Sequence, residues 1–136
     1  MKEIYKALAA FQQECPVIVE EKKTKNYKYA PLPDIMTVIN PLLRKHGLGF
    51  TQLIQQNAAA NVIETRLFHC ETGQALVSFA AIRSGVDLHG MNPYQVDGAG
   101  ITYYRRYALS AILGIVTETD TDASSTQPKQ KGDEFF

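Results

Sequence analysis

At 136 residues, with 45% hydrophobic and 21% charged side chains, the chain is long enough for one hydrophobic core, and its composition is neither disordered nor fibrous. Fourteen basic side chains balance fourteen acidic ones, which excludes a broad electropositive surface of the kind that binds nucleic acid by bulk charge. No apolar run approaches the roughly 18 residues of a membrane span, and Cys15 and Cys70 stand far apart among apolar neighbours, so a disulfide framework is not expected and a reducing cytoplasm is.

Residues 2 to 14 place Ile4, Ala7, Leu8 and Phe11 at helical spacing, and Pro16 follows as a stop. Val17, Ile18 and Val19 suit a short strand. Beyond them the run to Tyr29 is charged, with Lys22, Lys23, Lys25 and Lys28, and reads either as a solvated loop or as a loop touching an anionic polymer. Pro33 opens a second amphipathic helix that buries Ile35, Val38, Ile39, Leu42 and Leu43 and stops at Gly47; Pro41 inside it should kink or divide it. The period then changes to two. Leu48 to Gln56, Val62 to His69 and Ala75 to Ile82 form three strands of an antiparallel meander, with Ile63, Thr65, Leu67 and His69 facing the helices. Residues 83 to 94 read as a loop. A long helix follows from about Pro93 to Leu113, locally weakened by Gly98 and Gly100, a pattern that usually marks close approach to the backbone. From Ser124 the chain is polar and reads as a disordered tail. The domain is therefore 1–123 and the tail 124–136.

Charge divides at the same place: residues 1 to 117 hold 12 Lys+Arg against 9 Asp+Glu, a net +3, and residues 118 to 136 hold 2 against 5, a net −3. Local geometry must then matter more than total charge. In the long helix Arg105 and Arg106 are adjacent, so their side chains diverge by about 100° and only one can be the more outward. A guanidinium fork suits phosphate oxygens and can stack on a base; alternatively it pairs with Glu64, Asp87 or Asp97 and holds the helix to the sheet. Tyr94, Tyr103, Tyr104 and Tyr107 surround these arginines, Tyr103 and Tyr107 at i, i+4, and Tyr27 and Tyr29 flank Lys28 upstream. They are candidates for base stacking, although for each tyrosine taken singly the more probable place is the core. Catalytic chemistry has little to stand on: there is no G-x-x-x-x-G-K-[ST] loop, and Asp120, Asp122, His46, His69 and His89 lack the spacing of metal ligands. No cofactor or metal is expected.

Two blocks of residues go further. One comprises Asn92, Pro93, Tyr94, Gln95, Gly98, Thr102, Tyr103, Arg105, Arg106, Tyr107, Ala108, Leu109, Leu113, Gly114, Asp120 and Asp122; the other runs from Tyr27-Lys28-Tyr29-Ala30 through Leu32, Ile35 and Pro41-Leu42-Leu43 to Lys45-His46-Gly47-Leu48. Together and in this order they resemble the signature of the ERF (essential recombination function) family of phage and prophage proteins. Tyr104 and Gly100 depart from it, standing where the family often has a small residue and an alanine. The resemblance implies an ATP-independent protein that binds and anneals single-stranded DNA in recombination, acts as a homo-oligomeric ring or filament, and is not an enzyme. It favours DNA contact for Arg105, Arg106, Tyr103, Tyr107 and Tyr94, and with them Lys22, Lys23, Lys25, Tyr27, Lys28 and Tyr29. The tip Asp133, Glu134, Phe135 and Phe136 is similar to tails by which single-strand-binding proteins recruit partners, but so short a motif reads first as a solvated end. It supports the rival reading, a mediator module that recruits recombination proteins. The expected fold is α+β: a three-stranded antiparallel meander packed on the long signature helix, with two further helices toward the N-terminus.

Overall fold

A computed structural model describes residues 1–18, 30–56, 61–82 and 92–118. The order of elements is α1 (Lys2–Glu14), α2 (Leu32–Lys45), β1 (Leu48–Gln56), β2 (Asn61–His69), β3 (Ala75–Ile82) and α3 (Pro93–Leu113), an α+β fold. The strands form one antiparallel sheet in the order β1-β2-β3, with Leu48 opposite His69 and Phe68 opposite Ala75. Alternation decides the faces. Ile63, Thr65, Leu67 and His69 of β2 are all buried, toward the helices as their spacing requires, and Leu67 joins Ile4, Phe11, Ile35, Ile39, Leu43, Leu109 and Leu113 in the core.

The helix that Pro33 was expected to open begins one residue earlier and runs undivided through Pro41 to Lys45. Pro41 lies on the exposed side, where water can reach the carbonyl that its missing N–H would have bonded. Gly47, at φ +72°, turns the chain out of α2 in a conformation that a Cβ would resist, and its carbonyl accepts the Cys70 N–H at 2.8 Å, which sets the start of the sheet. The strand expected at Val17–Val19 is not formed over Val17 and Ile18, and Val19 lies outside the described residues. A backbone bond stands in its place, the Ile18 N–H donating to the Val116 carbonyl at 3.0 Å, and beside it the Ala30 N–H donates to the Thr117 carbonyl at 2.8 Å.

Both ends of α1 are tied to distant chain. At its start the Ile4 N–H donates to Gln74 Oε1 at 2.9 Å, while Gln74 Nε2 donates to Glu3 at 2.8 Å. Toward its end Gln12 Nε2 donates to the Leu113 carbonyl at 3.0 Å, satisfying an acceptor that α3 leaves open at its last turn. Close by, Lys45 Nζ sits 2.9 Å and His46 Nε2 3.3 Å from the Glu14 carboxylate, joining α1 to the end of α2.

Candidate nucleic-acid interface

The signature helix owes its limits to its own sequence. Asn92 Oδ1 accepts the Gln95 N–H at 2.8 Å, Gln95 Oε1 accepts the Asn92 N–H at 2.9 Å, and Pro93 follows the cap, so the Asn-Pro-x-Gln run is a capping box. At the other end Gly114 adopts φ +68° and the Ile115 N–H donates back to the Ser110 carbonyl at 3.1 Å. Between these stops α3 packs on β2 and β3.

The adjacent arginines do part company. Arg106 is buried: its guanidinium lies 5.4 Å from the centre of the Tyr103 ring, and Nη1 is 3.8 Å from the Glu118 carboxylate. Of the acidic residues expected to hold an arginine, Glu64 is bound by Arg66 at 2.9 Å and by Gln55 at 2.7 Å, and Asp87 lies outside the described residues. Arg105 is only half-buried. Its Nε donates to Gln52 Oε1 at 3.3 Å, and Gln52 Nε2 returns a bond to the Arg105 carbonyl at 3.0 Å.

Arg105 lines a groove of about 610 Å³ between α2 and Leu48 to Leu53 of β1, whose wall also includes Arg44 from the end of α2. Met36, Leu43 and Phe50 give the groove an apolar lining, and Phe68 lies across Gly49, where a Cβ would come within 2.6 Å of its ring. Arg44 was not singled out from sequence. A basic residue in the last turn of a helix satisfies the helix dipole by itself, and only the packing of α2 beside β1 brings Arg44 to the wall of the groove.

The tyrosines form a separate feature. Tyr103 and Tyr107 stack at 5.8 Å between centroids with ring planes 12° apart, and Tyr104 meets Tyr103 edge-on at 5.3 Å. Three of the four signature tyrosines are not core residues as single-residue odds suggest: Tyr94 is 87% exposed, Tyr107 57% and Tyr103 49%. Each member of the stacked pair stands two residues from Arg105, about 200° around the helix, so the pair and the arginine groove flank α3 on different sides. Sequence had grouped them as one cluster; the helix separates them.

A Cβ at Gly98 or Gly100 would find no heavy atom within 4 Å among the described residues, so packing within them does not require a glycine at either position. Tyr27, Tyr29, Lys22, Lys23, Lys25 and Lys28 lie outside the described residues, as do Asp120, Asp122, Asp133, Glu134, Phe135 and Phe136. Among the described residues there is no group of three His, Cys, Asp or Glu able to hold a metal ion, and no helix long and apolar enough to cross a membrane.

Fold and surface together define an α+β domain with two arginines, Arg44 and Arg105, lining one groove and an exposed aromatic stack on its signature helix. The family model described as the ERF superfamily matches residues 4–134, and the chain belongs to that family. It is similar to the protein named essential recombination function protein of Salmonella phage P22, with 25% identity over 130 residues that cover 95% of this chain. The chain spans 63% of that relative's length. No solved structure matches it.

Proposed function

We propose that this protein binds and anneals single-stranded DNA during phage recombination, without ATP and without a bond-making residue. Membership of the ERF superfamily and the name of the P22 relative support the recombination role. The observation that carries the single-strand reading is the exposed Tyr103–Tyr107 stack, on the same helix whose Arg105 lines a groove together with Arg44. Base–aromatic stacking contributes about 1 to 3 kcal/mol per base and is indifferent to sequence, which is what a general annealing protein requires. Arg44 and Arg105 hold phosphates by charge-assisted bonds, and a strand crossing α3, a cylinder about 10 Å across, meets both features. Bases held by their faces keep their pairing edges open to a second strand.

The test is a fluorescence-anisotropy titration of single- and double-stranded oligonucleotides, with and without ATP and magnesium, followed by an annealing assay. Preference for single strands, independence of ATP, and a log–log salt slope of about −0.7 per phosphate contacted are expected. Equal affinity for duplex, or an absolute ATP requirement, would sink the reading. Recruitment of other recombination proteins by Asp133, Glu134, Phe135 and Phe136 is a separate proposal, checked by pull-down with Phe136→Ala.

A further inference from the structure

Lys45, Arg66 and Arg106 each meet a carboxylate, whereas Arg44 and Arg105, which line the α2–β1 groove, enter no ion pair among the described residues. The same groove is lined by Met36, Leu43, Phe50 and Phe68, so two cations without a counterion share it with apolar surface. Leu48 to Leu53 border it without a gap, as a strand does when its backbone as well as its side chains faces a cleft. Such a strand offers N–H and C=O groups to an extended peptide, the guanidinium groups suit carboxylates, and the apolar wall suits rings. This combination describes an acidic segment followed by aromatic residues. The chain carries one, Asp133-Glu134-Phe135-Phe136.

We infer that residues 133–136 dock in the α2–β1 groove of their own chain, Asp133 and Glu134 on Arg44 and Arg105, Phe135 and Phe136 against Met36, Leu43 and Phe50. Charge favours the contact, since residues 118 to 136 carry a net −3 and the remainder a net +3. Reach permits it. The carboxylate of Glu118 lies 3.8 Å from Arg106, whose neighbour in sequence, Arg105, lines the groove, so the chain leaves the described domain one residue's step around α3 from the proposed seat. The fourteen residues from 119 to 132 span up to about 50 Å when extended, against a helix about 10 to 12 Å across. A tether of that length holds its end at an effective concentration on the order of millimolar, so a short motif too weak to bind from solution is sufficient within one chain. The docking itself needs no DNA. Its consequence rests on the reading of the groove as a phosphate site: the tail is then a built-in competitor that a single strand must displace before Arg44 and Arg105 can hold it.

The test keeps the entire chain and begins without DNA. In Asp133→Asn/Glu134→Gln/Phe135→Ala/Phe136→Ala the tethered segment is disabled, and a fluorescent peptide of residues 126–136 is titrated against it by anisotropy. The peptide should bind this variant, bind the wild type several-fold more weakly because the tethered copy already fills the groove, and lose about tenfold in affinity when Arg44→Ala or Arg105→Ala is added to the variant. Thermal melts establish that each protein is folded; Arg44 is exposed, so its substitution carries the test should Arg105→Ala unfold the domain. No peptide binding, equal binding to wild type and tail variant, or binding indifferent to Arg44→Ala would each overturn the inference. A second arm adds poly(dT), which should displace the peptide and bind the tail variant several-fold more tightly than the wild type. A peptide that stays in the groove beside saturating poly(dT) would leave the docking standing and move the DNA elsewhere, so the two readings fail separately.

Discussion

Gln52 and Arg105 hold each other in both directions: the Gln52 amide donates to the Arg105 carbonyl while its oxygen accepts from Arg105 Nε, and the same amide nitrogen also bonds Thr65 Oγ1 at 3.0 Å. A long side chain that would lose rotamer entropy on meeting a ligand is thereby partly ordered beforehand. The bond uses Nε and leaves the terminal amino groups for the groove.

Arg105→Ala should lower single-strand affinity about tenfold, near the 1.4 kcal/mol of one charge-assisted bond, with the melting temperature little changed. Arg106→Ala should instead destabilise the fold by about 1 to 3 kcal/mol, because it empties a buried site and removes the cation from the Tyr103 face. Paired anisotropy and thermal melts separate the two effects. Equal, stability-driven losses would remove Arg105 from the DNA site, and Gln52→Ala should reproduce a milder form of the Arg105 phenotype.

Tyr107→Ala should cost about 1 to 3 kcal/mol of single-strand binding energy, and Tyr107→Phe should cost almost nothing, since stacking uses the ring and not the hydroxyl. The chain has no tryptophan, so quenching of tyrosine emission by poly(dT) reports the contact directly. A tyrosine signal indifferent to saturating DNA would place the bases elsewhere.

Two glycines of one helix should answer substitution with opposite signs. Gly98→Ala, in open space, should raise stability by about 1 kcal/mol through helix propensity. Gly114→Ala should lower it by about 1 to 2 kcal/mol, since φ is +68° and the new Cβ would stand 2.7 Å from Gln12 Nε2. Urea denaturation measures both. If Gly98→Ala stabilises the protein yet weakens DNA binding, the strand passes close to that backbone.

The Lys45 bond, reinforced by His46, holds the Glu14 carboxyl below its usual 4.5. A carboxyl whose folded value is depressed stabilises the protein fully above 4.5, and that contribution disappears as the pH falls through the lower folded value. Glu14 is at the surface, so the effect is small. Melting curves of the wild type and Glu14→Gln should differ slightly at neutral pH and converge in acid; a constant gap across the acid range would assign the difference to something other than ionisation.

Much of the fold was legible because local signals agreed. Alternation in Leu48–Gln56 and Ala75–Ile82, with turn residues between, specified those strands to the residue, and β2 starts one residue before the expected Val62. Pro41 misled because a proline's effect depends on which side of a helix it occupies. The site was less legible. The divergence of Arg105 and Arg106 follows from helical geometry, but which one is buried depends on Glu118 and Gln52, 12 and 53 positions away from the arginine that each meets. Arg44 carried no local signal at all, and at Gly98 and Gly100 the described residues leave open space where a Cβ would stand.

The ties at the two ends of α1 bear on the order in which the molecule can assemble. Ile4 meets Gln74 across 70 residues and Gln12 meets Leu113 across 101, so of the three described helices the earliest synthesised is the one whose anchors are made last. The meander, with its short connections, can close while synthesis continues; α1 must wait for the end of α3. Until then Ile4 and Phe11, both fully buried in the finished protein, have no complete site to enter, and the N-terminal helix passes much of its synthesis as an amphipathic segment dependent on the chain still to come.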